Sequence, residues 1–330
     1  MSRKLTAISV LSLHLALTSA LLSQGSQSAN LLRAVPENCL MMSWWDYTNP
    51  APVGSQNKTD QMFAEPEVRR FVDSVFDSVG ELTKIGAAEM PAESREELAI
   101  VVQQLVNSAC RGSGCFFIET MEFDESNLQK IDFVILFVLG DQAENVSSRV
   151  KKLLKTHVAE TQLVRFGEHE LIEFKPPAGA VTEERSSFFV GNFGGNFIVG
   201  SGRETVQQAL MRLSRFQIVP WVLQLQERIP LERRVSMGYL NLAAMREKLL
   251  AQAPPEIGAV VASLGLGNIE SLESSMGYDE LAMTNRMRLR FDGEPTGLFE
   301  VIGKNGIKES SLQHIPSDAL FAIASTVELG

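Results

Sequence analysis

The chain predicts an α+β fold, a largely antiparallel sheet with amphipathic helices packed on it, and three observations lead there. Short runs rich in Phe, Ile and Val recur along the sequence, bounded by Gly, Asn and Asp. Several follow one another at hairpin distance, as at residues 170–174, 188–193 and 196–199. Between these groups lie longer stretches whose apolar residues step by three and four, as in a helix with one buried face. Strands in hairpin order, with helices between groups of them, define the class.

The first residues are set apart from the rest. Arg3 and Lys4 form a basic start, residues 5–22 are apolar, and residues 23–29 are small and polar, ending in Ser26-Gln27-Ser28-Ala29. This is the three-part layout of a secretory signal peptide, read over residues 1–29 with cleavage near Ala29 or Ser28. The competing reading is an uncleaved anchor. A span needs about 20 mostly apolar residues, and this stretch is marginal in length and diluted by hydroxyls. No Cys follows at lipobox distance and no twin-Arg pair precedes it, so export is expected to carry an unfolded chain without a prefolded cofactor.

The α+β module is read over residues 30–311. Residues 40–45 form its first strand, introduced by Val35-Pro36-Glu37-Asn38, and a polar loop follows to about Thr59. A long helix begins after Pro66, with Val68, Phe71, Val72, Val75, Phe76, Val79 and Leu82 on one face. Ser94 and Glu97 make a capping-box pattern for a second helix, striped by Leu98, Val101, Val102, Leu105 and Val106. Strands are expected at 115–121 and 131–139. The latter is apolar on both parities except Asp132, as suits a central strand covered on both faces.

Asp141 can cap the next helix, whose stripe is Val146, Val150, Leu153 and Leu154. Strands at 162–166, 170–174, 188–193 and 196–199 precede helices at 203–213 and around 221–225. A strand at 235–242 leads into helical segments through Leu250 and over 255–264. Residues 269–278 and 281–291 read as an antiparallel hairpin turning at Asp279. Residues 315–321 resemble residues 35–41, each an apolar residue, Pro, a polar pair and a strand. Residues 312–330 are therefore either the last strand of the module or the start of a truncated second repeat.

Across the mature region several short motifs belong together: the Leu32-Arg33-Ala34-Val35-Pro36 opening, the Glu65-Pro66-Glu67-Val68 helix start, the Gly140-Asp141 turn, Gly191-Asn192-Phe193 with Asn196-Phe197-Ile198-Val199-Gly200, and Gly293-Glu294-Pro295-Thr296-Gly297-Leu298. In these the chain resembles a family of uncharacterised exported proteins found chiefly in planctomycete-type bacteria. It is also similar to the broader bacterial domain of unknown function number 3352. The resemblance implies secretion and an α+β module, and it carries over no catalytic residues.

Composition narrows the partner classes. The formal charge is -10, and losing Arg3 and Lys4 with the leader makes the remainder more acidic still. A polyanion meets net repulsion, so no nucleic-acid partner is expected. No later stretch is long and apolar enough for a span, so no transmembrane anchor is expected after cleavage. The three cysteines are Cys39, Cys110 and Cys115. In an oxidising compartment the Cys110–Cys115 spacing suits a small disulfide loop, against the alternative of three free buried thiols. No metal is expected, since no second ligand pair accompanies it.

Candidate sites are few. Gly200, Ser201 and Gly202 end a strand and open a helix, where backbone N–H groups can hold a phosphate. The Rossmann and Walker spacings fail, however, and Ser201 to Glu204 is itself a capping-box pattern, so the turn reads as structural. Arg286, Arg288 and Arg290 alternate with Met287, Leu289 and Phe291, giving one apolar face and one guanidinium face. That face can dock an anion or carboxylate, or its arginines pair with Glu270 or Glu273 across the hairpin. His169 lacks metal spacing, and no GxSxG elbow or Ser/His/Asp set is present. The leading expectation is an exported, non-catalytic binding or scaffolding module of the periplasm or cell envelope, with no cofactor and an envelope protein or polymer as partner. The alternatives are an exported hydrolase with a site built from scattered residues, and a small-ligand or lipid carrier.

Overall fold

The computed structural model describes residues 28–301 apart from 125–126, 159, 176–186, 216, 252 and 280–281. Residues 1–27 of the leader and the 312–330 segment lie outside the described residues.

A 3₁₀ turn at Leu32–Ala34 leads into β1 (Met41–Asp46), and three helices follow, α1 (Lys58–Ala64), α2 (Pro66–Gly86) and α3 (Ala92–Arg111). β2 (Ser113–Asp124) and β3 (Asn127–Val138) form a long hairpin, and after a second 3₁₀ turn α4 (Ala143–His157) carries the chain onward. A meander comes next: β4 (Thr161–Phe166), β5 (His169–Phe174), β6 (Phe188–Phe193) and β7 (Asn196–Ser201). Then α5 (Arg203–Leu213) and α6 (Pro220–Arg228) precede β8 (Arg233–Asn241). The chain continues through α7 (Leu242–Leu250) and α8 (Pro255–Ser263) to the hairpin β9 (Ile269–Asp279) and β10 (Ala282–Phe291). A short helix, α9 (Leu298–Val301), closes the described residues.

The strands form one ten-stranded sheet in the order β10-β9-β8-β1-β2-β3-β7-β6-β5-β4. Every neighbouring pair is antiparallel, so the expected α+β class is observed. The first strand is not an edge, for β1 lies between β2 and β8. Strand alternation sends successive side chains to opposite faces, and both faces are covered. On one, Met42, Trp44, Cys115, Phe117, Phe189 and Ile198 pack with Leu31 and Leu32, with Val206 and Leu210 of α5 and with Leu225 of α6. On the other, Ile172, Val190 and Phe197 pack beneath Val101 of α3 and Val146 of α4. The β6–β7 hairpin turns on Gly194 and Gly195, both at positive φ, the pairing a two-residue type I′ turn requires.

Several local expectations are corrected. The polar stretch before Pro66 holds α1, opened by Asn57, whose side chain accepts from the backbone N–H groups of Thr59 (3.0 Å) and Asp60 (3.3 Å). α3 begins at Ala92 with Pro91 before it and no side-chain cap. Ser94 thus lies inside the first turn, and Glu97 reaches across to Arg149 and Lys152 of α4. Asp141 sits within the 3₁₀ turn and makes no capping bond. The helix α5 is capped by Gly202 without a side-chain bond, because the Ser201 hydroxyl turns to β3 instead.

The apolar face of α2 is divided. Val72, Phe76 and Val79 are half-buried, whereas Phe71 is 68% and Leu82 65% exposed. The stripe is wider than the single neighbouring helix α3 can cover.

Candidate functional site

A cavity that combines apolar walls with charged groups opens where the ends of β1 and α3 meet α2 and the last hairpin. The backbone N–H of Tyr47, just past β1, donates to the carbonyl of Gly112 at 2.9 Å, which fixes Tyr47 beside the last turn of α3. From α2 come Arg69, Val72, Asp73 and Phe76, spaced to share one helical side. Cys110 and Arg111 close α3, Phe63 comes from α1, and Tyr278 and Met283 face in from the β9–β10 hairpin. The open cleft has a volume of about 550 Å³.

Its electrostatics are set by two guanidiniums and one carboxylate. Arg111 Nη2 lies 2.8 Å from Asp73 Oδ1, and its guanidinium sits 4.1 Å above the Phe76 ring, a cation–π geometry. Arg69 Nε donates to the Phe63 carbonyl at 3.1 Å, tying α1 to α2. Asp73 neutralises one cation, so the lining keeps one net positive charge on an acidic protein. Behind the wall Arg233 stacks on Tyr278 at 3.9 Å and pairs with the buried Asp60. Burial raises both the Tyr47 and Tyr278 phenol pKa values above the ordinary range, so both stay neutral hydrogen-bond donors. Chemically the cleft can hold an apolar body and face one anionic group.

Cys110 and Cys115, the expected disulfide pair, are free thiols in this structure, as is Cys39. Trp45 Nε1 donates to Ser108 O of α3 at 3.2 Å, placing that helix on the Trp45 face. Cys115 lies directly across from Trp44, so it points to the opposite face, into the core. Cys110, on α3, is exposed. The spacing puts the two on opposite sides of the sheet. Burial drives the Cys115 thiol pKa upward and pushes that of Cys39 up to about 12. A thiolate-directed reagent such as iodoacetamide should therefore modify Cys110 alone in the native protein and all three after denaturation, counted by intact mass. Modification of Cys115 without unfolding would contradict this packing.

The Gly200-Ser201-Gly202 turn is filled by the protein itself. Ser201 Oγ donates to Ile131 O at 2.6 Å and accepts from Phe133 N at 3.2 Å. Gly202 has φ +78°, and a Cβ there would meet Asp132 Oδ1 at 2.4 Å. Asp132 is buried, with Lys130 at 3.1 Å, and burial raises its carboxyl pKa against the opposing pull of Lys130. Glu119, Glu122 and Glu204 line the same groove. With Lys130 and Arg203 as the cations in the same lining, the carboxylates are in excess, which disfavours a phosphate.

Arg286, Arg288 and Arg290 lie on β10, the edge of the sheet among the described residues, with divided duties. Arg290 pairs with Glu270 at 2.8 Å and approaches Glu273 at 3.7 Å. Arg286 pairs with Asp279 and donates to Pro230 O. Arg288 is exposed and makes no ion pair among the described residues. The opposite side of the strand is open as well, with Met287 65% exposed. His169 packs against Phe193 with the rings tilted by 50° and their centroids 4.1 Å apart.

Among the described residues no group of three or more His, Cys, Asp or Glu is placed to hold a metal, and no helix is long and apolar enough to cross a membrane. Sequence reasoning missed the cleft, although Arg69, Val72, Asp73 and Phe76 at helical spacing were a trace of it. Compared with known proteins, the chain matches no family model, no curated protein and no solved structure.

Proposed function

We propose that the chain is an exported, non-catalytic binding module whose ligand occupies the cleft between α2, the end of α3 and the β9–β10 hairpin. The ligand is a small molecule with an apolar body and one anionic group. The observation that carries this reading is the cleft: about 550 Å³, within the span of roughly 300–1,000 Å³ usual for ligand pockets. Aromatic walls supply burial, and Arg69, which makes no ion pair among the described residues, supplies the charge. The export address rests on the leader sequence and on the resemblance to uncharacterised exported proteins.

The test uses anilinonaphthalene sulfonate, which joins an aromatic body to one anion. It should bind the native protein and slow alkylation of Cys110 severalfold, because that thiol lines the cleft. Arg69→Ala should weaken binding about tenfold, the scale of one lost charge-assisted hydrogen bond, and Val72→Trp should block it by filling the space. If Cys110 alkylation is unchanged at saturating probe, or Val72→Trp binds as the parent does, the cleft is not a binding site.

A further inference from the structure

We infer that the open half of α2 is the interface of a two-fold dimer, paired antiparallel with the same helix of a second copy. The face lies on the other side of α2 from the cleft, so this inference stands apart from the ligand reading. Val68, Phe71, Val75, Ser78, Leu82 and Ile85 step by three and four residues in strict alternation, the rhythm of a seam between paired helices. Phe71 is 68%, Val75 48%, Leu82 65% and Ile85 71% exposed. Single exposed apolar residues are ordinary, whereas a contiguous stripe marks a docking surface. The polar atoms inside the stripe are already satisfied. Ser78 Oγ donates to Ser74 O, and Ser74 Oγ to Phe71 O, both at 2.7 Å. Covering these small residues therefore leaves no hydroxyl proton unpaired.

The pattern along the helix selects a second copy as the occupant. Turned end for end about a two-fold at the level of Phe76 and Asp77, the stripe meets itself. Val68 then faces Ile85 of the second copy, Phe71 faces Leu82, and Val75 faces Ser78. An antiparallel pair also brings the same flank of both helices together, and that flank carries Arg70 and Glu81. The reversal sets Arg70 within a turn of Glu81 of the second copy, twice by symmetry. In each monomer these side chains are 75% and 72% exposed and pair with Glu67 and Lys84, three residues along the same helix. Such exposed pairs are weak, so both side chains can reach across. A lipid surface fits less well, since α2 carries four acidic and three basic residues, whereas helices that lie on membranes are rich in cations. Val68 to Ile85 spans about 26 Å of helix. A seam of that length falls short of the roughly 800 Å² per partner of a standard interface, so the dimer is weak, with Kd on the order of 10–100 µM.

Sedimentation velocity of the purified protein from about 1 µM to 1 mM tests this, and a monomer–dimer equilibrium is expected. Leu82→Glu changes an exposed position, so it should keep the parent's circular dichroism and melt while raising Kd about tenfold or more. Arg70→Glu and Glu81→Arg should each weaken the dimer severalfold. The two together should restore it, because the exchanged charges meet again across the two-fold. A parent that stays monomeric throughout overturns the inference, and so does a dimer untouched by Leu82→Glu. Charge variants that fail to restore one another overturn the antiparallel register. Should the parent stay monomeric yet bind phosphatidylcholine–phosphatidylglycerol vesicles, with binding lost in Leu82→Glu, the face belongs to a membrane and the second copy is the wrong occupant.

Discussion

Glu273→Ala is expected to destabilise the protein by about 3–5 kcal/mol, the usual result of removing one partner from a buried ion pair. Glu273 is 0% exposed on β9 and accepts from Arg228 of α6 through Nη2 at 2.5 Å and Nε at 3.2 Å. This two-bond fork is the strong form of the interaction. Arg290 approaches from β10 at 3.7 Å. Neighbouring positions on the same side of β9, Ser271 and Ser275, are small and buried. Removing the carboxylate leaves the Arg228 guanidinium without its counter-charge. The pair fixes where α6 lies on the sheet, so Arg228→Ala should cost a comparable amount and the double variant less than the sum. Chemical denaturation of the four proteins measures the coupling. Stability of Glu273→Ala within 1 kcal/mol of the parent, on the same order as an exposed pair, would show that the fork is dispensable.

Gly202→Ala should cost about 3 kcal/mol through two separate causes. The backbone sits at φ +78°, where an L side chain is strained by about 1–2 kcal/mol. The added Cβ would also lie 2.4 Å from Asp132 Oδ1 and 2.5 Å from its Cγ, an overlap that forces a buried carboxylate to move. Asp132→Ala in the same chain should return the steric part and leave the strain. Thermal melts of the single and double variants separate the two. Equal losses in both would mean that Asp132 yields without cost and that strain alone governs the turn.

Much of the sheet was legible because its strands announce themselves locally. Residues 188–193 and 203–213 coincide with β6 and α5, since Gly194-Gly195 and Gly202 punctuate them. The order of the strands was not legible, because nothing local in Trp44 says that its neighbours are Cys115 and Met237. The short helix α1 escaped notice for a related reason. Its polar sequence has little apolar periodicity, and its Asp60 is held by Arg233 from β8. The breadth of the apolar stripe on α2 was visible, but the division between covered and open halves depends on where α3 lies. The cleft is the extreme case: Tyr47, Phe76, Cys110 and Tyr278 meet only after the whole chain has folded.

The placement of β1 inside the sheet has a kinetic corollary. Its second neighbour, β8, is synthesised only after β2 to β7, so the edge formed by Met41 to Trp45 stays open while those strands emerge. Closing it requires contacts between residues far apart in sequence, and such topologies fold slowly. During that interval an apolar strand edge is a template for pairing with other chains. A chaperone that shields this edge until Arg233–Asn241 arrives should raise the folded yield more than one acting on the β4–β7 meander, which can pair with its own neighbours at once.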